Sequence, residues 1–274
     1  MTPTSSFRIA VKQIGAAPQS QDDVERLLNE TAASAVAGGA GLVLLPELAL
    51  SAYGNPDVNR RLAMTEEQAT AIAGTAARRS DVAILAGYCE RDRDIYFNAA
   101  ILVSAAGRRL VNYRKMHLWG PYEREVFAPG NPAGVIQLAP SLKVGLLICH
   151  DLDHPATAQD LVARGANLVL VLSAITHPYE VVPLIQVPAR AYENSAFVAF
   201  CTQSGMQEGL HFAGLSTVAA PDGSILARAR PDAADLVFAD IDTAAFEVYR
   251  ENHSYADQLR RDLYPAPKFL GIEA

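Results

Sequence analysis

Of its 274 residues, only three are cysteine, Cys89, Cys149 and Cys201, one is tryptophan and four are methionine. Three scattered thiols cannot make a disulfide framework, and an odd count suits a reducing compartment. Positive charge is also short, with 23 Lys and Arg against 30 Asp and Glu, a net charge of −7. That balance argues against a nucleic-acid footprint, which needs a basic face, and against an anionic membrane surface. No apolar run approaches the roughly 20 residues of a membrane-spanning helix. Met1-Thr2-Pro3-Thr4-Ser5-Ser6-Phe7 lacks the cationic start and apolar core of a secretion signal. Repeats, low-complexity tracts and long linkers are missing too. These absences lead us to expect a cytoplasmic protein with a single domain over 1–274, its polar segment 242–274 forming a C-terminal arm.

Apolar residues are plentiful, at 50% of the chain. Residues 7–14 alternate as a strand does, and 21–37 carry Val24, Leu27, Leu28, Ala32 and Val36 at helical spacing after the capping residue Ser20. Residues 41–45 read as a strand buried on both faces, stopped by Pro46. A helix is expected from Thr65 to Arg79, and strands over 82–89, 97–104 and 109–113. The stretch from Trp119 to Pro132 reads as a loop. Residues 134–138 and 142–149 form a hairpin-like pair, followed by a helix over 156–163 and a strand over 167–172. A helix over 181–194 must begin near, or bend at, Pro183 and Pro188. Further strands are expected over 196–201, 215–220, 224–228 and 235–240. Alternating strands and helices with interspersed hairpins predict a mixed sheet covered by helices, an α/β fold.

Three of these strands end in reactive side chains: Glu47 after 41–45, Lys115 after 109–113 and Cys149 at the end of 142–149. Carboxyl ends of strands are where ligand sites gather in α/β folds. A carboxylate beside a thiol can act as its general base and later return the proton to a leaving group. A neighbouring lysine can hold an oxyanion and favour the thiolate. Each residue alone has a plainer reading, as helix cap, solvated charge and small core residue respectively. Glu and Lys are seldom fully buried unless paired, so three such placements together point to a site. Cys89 and Cys201 fit strand cores.

The sequence resembles the nitrilase, or carbon–nitrogen hydrolase, superfamily in three ordered segments: Leu45-Pro46-Glu47-Leu48, Tyr113-Arg114-Lys115-Met116-His117-Leu118 and Gly145-Leu146-Leu147-Ile148-Cys149-His150-Asp151. Weaker echoes are Phe127-Ala128-Pro129-Gly130, Arg190-Ala191-Tyr192-Glu193-Asn194, Phe212-Ala213-Gly214-Leu215-Ser216 and Arg261-Asp262-Leu263-Tyr264. The resemblance implies an α-β-β-α sandwich, two mixed sheets face to face with helices outside. It implies Glu47 as general base, Lys115 as oxyanion stabiliser and Cys149 as nucleophile. Glu123, ahead of Glu125, matches the second glutamate of amidase members, which positions substrate and supports the lysine. It further implies a homodimer or higher homo-oligomer and no cofactor or metal. The expected reaction converts a small amide to the acid and ammonia through a thioester, with the His150 N–H assisting at the oxyanion. A nitrile or carbamoyl substrate served by the same residues is the nearest alternative.

After the cysteine the chain departs from the family pattern. His150 and His154 replace aromatic residues, Ala156 replaces a glutamate, and Gln159 stands where arginine is common. Tyr53, Trp119, Tyr122, Ser173 and His177 follow strand ends and, with His150 and His154, are candidate substrate-binding residues. His117 reads as structural. Two rival classes are a catalytically silent interaction protein and a metal-dependent hydrolase using His150, Asp151 and His154. The complete Glu47, Lys115 and Cys149 set argues against the first. Against the second, an i,i+4 histidine pair serves as ligands only on a helix, and Pro155 disfavours helix immediately before it.

Overall fold

A computed structural model describes residues 6–132, 134–253, 255–258, 260 and 262–263. The first sheet contains Ser6–Gln13 (β1), Leu42–Leu44 (β2), Ala83–Asp92 (β3), Ile95–Val103 (β4) and Arg109–Arg114 (β5). The second contains Ile136–Ala139 (β6), Leu142–Ile148 (β7), Leu168–Leu172 (β8) and Phe197–Cys201 (β9). A small hairpin, Ser204–Gln207 (β10) and Leu210–Ala213 (β11), precedes Thr217–Ala219 (β12) and Ile225–Arg228 (β13). Asp235–Asp242 (β14) then returns to the edge of the first sheet. The strand orders are β14-β1-β2-β3-β4-β5 and β13-β12-β9-β8-β7-β6. Parallel pairing is confined to β1-β2-β3 and β7-β8-β9, so both sheets are mixed.

Side-chain alternation explains the layering. In β2, Leu42 and Leu44 face the second sheet, whereas Val43 packs under the helices. In β8, Leu168, Leu170 and Leu172 face the first sheet, and Val169 and Val171 face outward. Strands covered on both faces need apolar residues at every position, which is why both read as uninterrupted runs. Helices Gln21–Ala37 (α1), Pro56–Leu62 (α2) and Glu66–Ser80 (α3) belong to the first half of the chain, with α1 and α3 covering its sheet. Gly120–Val126 (α4) follows Lys115, and Pro155–Ala163 (α5) and Val187–Asn194 (α6) cover the second sheet. The expected α-β-β-α sandwich is present. No described helix is long and apolar enough to cross a membrane.

Helix ends follow local chemistry. Ser20 accepts from Asp23 N at the start of α1, and Thr65 forms a capping box with Gln68 at the start of α3. Helix α2 was not expected, although Asn55 caps it and Pro56 opens it in the usual manner. The 119–132 stretch is not all loop, since it holds α4. The β10–β11 hairpin also lies where no strand was expected. Prolines 183 and 188 bear out the expected irregularity: Val182–Gln186 is one wide π-turn before α6. Beyond β14 the chain lies on its own domain, with Phe246 against Phe197 at 5.3 Å and Tyr255 against Tyr192 at 5.5 Å between ring centroids. Residues 264–274, the far end of the expected arm, lie outside the described residues, as does Arg261 of the tail motif.

The turn after β2 crosses β3 at Gly87. A Cβ there would stand 2.3 Å from Pro46 O, 2.6 Å from Leu48 N and 2.7 Å from the Glu47 Cα. Only a glycine allows this approach, which the bonds Gly87 N to Pro46 O and Leu50 N to Gly87 O then fix. Gly87→Ala must push backbone against backbone and is expected to cost about 1–3 kcal/mol. Urea unfolding measures this, and an unchanged midpoint would contradict the close approach.

Candidate active site

Glu47, Lys115 and Cys149 come together at the carboxyl ends of β2, β5 and β7. Lys115 Nζ donates to Glu47 Oε1 and to Glu123 Oε1, both at 2.7 Å, and all three side chains are fully buried. Glu123 rides on the first turn of α4. Its Oε1 also accepts from the Tyr53 hydroxyl at 2.8 Å, and its Oε2 from Trp119 N at 3.0 Å. Asn98 on β4 donates to Glu47 Oε1 at 2.7 Å, and its backbone carbonyl receives Lys115 N. Glu47 Oε2, in contrast, is buried with no hydrogen-bond partner. Its charge is the strongest acting on Cys149. This oxygen is the one free to take a proton.

Cys149 occupies a left-handed conformation, φ +47°, at the head of the short turn Cys149–Asp151. Such a backbone is rare for a residue with a Cβ and costs on the order of 1 kcal/mol or more. Asp151 holds the turn in place. Its buried carboxylate accepts from Tyr113 Oη at 2.6 Å and Ile148 N at 3.0 Å through Oδ2, and from His117 N at 2.9 Å through Oδ1. His117 Nδ1 lies 2.8 Å from Oδ1 as well. Tyr113 and His117 flank Lys115 in sequence, so one carboxylate ties the cysteine turn to the lysine segment. Arg190 on α6 adds support by donating to Leu152 O at 3.0 Å and Asp153 O at 3.2 Å. It braces the same segment in a chain that has Ala156 and Gln159 where the family has a glutamate and an arginine.

Electrostatics divide the roles. Burial pushes Glu47 up to about 7, while the Lys115 charge opposes the shift and Glu123 adds to it. Burial pulls the Lys115 ammonium down, but Glu47, Cys149 and Glu123 outweigh this and hold it above the usual lysine range. Burial first, then the Glu47 charge, raises the Cys149 thiol well above an ordinary cysteine; Lys115 offsets only part. Lys115 acts in the expected direction, toward the thiolate, but burial and the Glu47 charge outweigh it. The thiol thus keeps its proton, beside a carboxylate that burial raises toward neutrality. Ser173 Oγ is buried without a partner of good geometry, and Ser173 O receives Glu47 N at 3.3 Å, which joins the two sheets at the site.

A cavity of about 370 Å³, counting its open mouth, reaches Cys149. Tyr53, Trp119, Ala174, Ile175, Thr176, Tyr179 and Val182 line it, with Asp153 at one side. Of the candidate substrate-binding residues, Tyr53 and Trp119 therefore meet the cavity. Tyr122 packs behind Tyr53 with its hydroxyl on Asn59. His150 pairs with Asp153 at 2.7 Å, and the His154 ring lies 4.2 Å from His117 and 5.0 Å from His150. Burial and these two imidazoles lower the pKa of His154. His177 does not line the cavity and instead contacts Glu180 and Asp232. The three residues of the metal alternative do not converge, because both Asp151 oxygens are committed to Tyr113, Ile148 and His117.

Asn98, Arg190 and the cavity residues Ala174, Ile175, Thr176, Tyr179 and Val182 were not expected at the site, and Asp151 was expected only as a ligand of the metal alternative. Asn98 was detectable as a lone amide inside the apolar run of β4. Arg190 was marked only by its place in a weak family echo, and the cavity residues carried no distinguishing signal.

The carbon–nitrogen hydrolase family model matches residues 8–251. The chain belongs to the carbon–nitrogen hydrolase family. It is 38% identical over 82% of its length to a hydrolase in the pqqF 5′ region of Pseudomonas protegens, covering 80% of that protein. An (R)-stereoselective amidase of Pseudomonas sp. is 33% identical, with 87% and 85% of the two chains covered. Among solved structures, a double mutant of the amidase from Nesterenkonia sp. AN1 in complex with acrylamide superposes with a TM-score of 0.84. The sequences are 29% identical, and 96% of this chain and 97% of that one are covered. This carbon–nitrogen hydrolase is thus an enzyme of the amidase-like branch, acting on C–N bonds other than peptide bonds.

Two outcomes follow from the charge arrangement. Lys115→Ala leaves two buried carboxylates facing each other and should destabilise the fold by about 3–5 kcal/mol, read by denaturant unfolding. A loss near zero would show that the pair is not desolvated. Turnover should fall on acidification with a midpoint near the value of about 7 set for Glu47. Below it the carboxylate is protonated and cannot accept the thiol proton. A kcat/KM profile flat from pH 5 to about pH 8 would contradict this, because a base of this kind controls the acid limb.

Proposed function

We propose that this hydrolase is an amidase that converts a small amide to its acid and ammonia through a thioester on Cys149. The observation that carries the reading is the buried Lys115, held by Glu47 and Glu123, close enough to Cys149 for both the lysine and the Glu47 charge to act on its thiol, with one Glu47 oxygen left without a partner. Glu47 Oε2 takes the proton as Cys149 Sγ attacks the amide carbon. Lys115 and the His150 N–H hold the developing oxyanion. Protonated Glu47 then gives its proton to the departing nitrogen, and ammonia leaves. A water deprotonated by Glu47 attacks the thioester, the C–S bond breaks, and the acid and the thiol are restored. Glu123 keeps the ammonium of Lys115 oriented, and Tyr53, whose hydroxyl burial and the Glu123 charge keep protonated, remains a fixed donor to it.

The size and lining of the cavity support a short, largely apolar acyl group. The amidase from Nesterenkonia sp. AN1 has been captured with butyramide and with acrylamide, the latter adding to its active-site cysteine. A nitrilase of Pyrococcus abyssi is 30% identical over 80% of this chain, which makes nitriles the comparison to run. Ammonia release measured over aliphatic amides, carbamoyl compounds and nitriles should show short amides as the best substrates. Glu47→Gln should lose at least about a hundredfold, the contribution of a positioned base. Iodoacetamide should label Cys149 before Cys89 or Cys201, both enclosed in the core. Nitriles outpacing every amide, or full activity after Cys149 is alkylated, would overturn the proposal.

A further inference from the structure

Away from the cavity, two histidines and a carboxylate converge on one point. His177 Nε2 lies 3.2 Å and His211 Nε2 3.0 Å from the same oxygen, Asp232 Oδ1. All three candidate donor atoms fall within 4.8 Å of one another, the one such group among the described residues. We propose that His177, His211 and Asp232 form a binding site for a zinc-class divalent cation, separate from the Cys149 centre.

Distances fit this donor set. With metal–nitrogen and metal–oxygen bonds of about 2.0–2.1 Å, neighbouring ligands of a tetrahedral ion stand about 3.3 Å apart. The two measured nitrogen–oxygen edges are already close to that value. Imidazole and carboxylate donors suit zinc and its borderline neighbours better than calcium or magnesium, which prefer oxygen alone. Three protein ligands leave a fourth position for water.

Hydrogen bonding around His177 points the same way. Its Nδ1 faces the Glu180 carboxylate while its Nε2 faces Asp232, so a neutral ring can supply a proton to only one of them. A cation on Nε2 removes the conflict, as a second ring proton would. Nδ1 keeps its hydrogen for Glu180, the arrangement in which a carboxylate orients a metal-bound imidazole.

The backbone holds the three ligands in place beforehand. Thr176 pairs with Phe212 as an antiparallel bridge, and His177 N donates to His211 O at 3.0 Å, so the two rings lie side by side, 4.1 Å between centroids. Asp232 tops a tight turn at φ +54°. Buried Gln13 spans that turn from beneath, donating to Arg230 O and Ala233 O at 2.6 Å each. The site therefore unites three segments distant in sequence. One of them, between Thr176 and Tyr179, also lines the substrate cavity, so an ion bound here would brace the cavity wall from outside.

The test uses the full chain without an affinity tag, stripped with chelator and titrated with zinc sulfate by calorimetry. One equivalent should bind with saturation at micromolar concentration and raise the melting temperature. His211→Ala and Asp232→Asn change side chains that are about half exposed, so the fold should persist. Each should abolish saturable binding and the melting shift, and Glu180→Gln should weaken binding about tenfold or more. Cobalt(II) should give ligand-field bands without a thiolate charge-transfer band. Absence of a saturable equivalent, binding untouched by both ligand substitutions, or a thiolate band placing the metal on Cys149 would overturn the proposal.

Discussion

A single buried ammonium governs this site. Lys115 is fully enclosed, and an isolated charge at that depth would shed its proton or unfold its surroundings. Two carboxylates prevent this, and the same lysine allows those carboxylates to stay buried. The group of three carries one surplus negative charge when both glutamates are ionised. That surplus falls on Glu47, because Glu123 has Tyr53 and Trp119 N as further donors, whereas Glu47 has Asn98 alone and one oxygen with nothing. Unequal hydrogen bonding separates two chemically identical side chains: both oxygens of Glu123 are occupied, whereas Glu47 keeps one buried oxygen open.

The thiol is placed by strain and by a clamp. The left-handed turn at Cys149 would relax if it were free, and the four contacts that Asp151 makes to Tyr113, Ile148 and His117 withhold that freedom. Because two of those partners flank Lys115, one carboxylate links the cysteine turn to the lysine segment. Free buried atoms on Glu47, Asn98, Ser173 and Gln203 cluster around them. Unsatisfied polar atoms cost about 1–3 kcal/mol apiece, and their concentration at one place is typical of a site prepared for a polar guest.

Much of this was legible in the residues. Strands β2 and β8, and β7 from Val144 onward, announced themselves as unbroken apolar runs, and the polar residues that follow them marked the site. The α-β-β-α layering came from the resemblance, since periodicity indicated only a mixed sheet with helices. What escaped were features that depend on distant partners. Helix α2 is seven residues long, too short for a periodic signal, and β10–β11 is held by pairing rather than by composition. Asp151 looked like a metal ligand because sequence shows neighbours along the chain and not Tyr113 beneath it. His177 looked like a pocket residue because it follows β8, but the bridge at Thr176 turns it toward His211.

The pairing pattern of the two sheets is the same. Reading inward from one edge, β14-β1-β2-β3-β4-β5 and β6-β7-β8-β9-β12-β13 both run antiparallel, parallel, parallel, antiparallel, antiparallel. The chain is a pair of like-built halves laid face to face, though no repeat is visible in its sequence. The first half carries Glu47, Lys115 and Glu123, and the second carries Cys149 and Ser173. The proposed proton acceptor and nucleophile thus belong to different halves and meet only where the halves touch. Either half alone would hold a base with nothing to deprotonate or a thiol with nothing to receive its proton, so the reactive pair exists only in the closed sandwich.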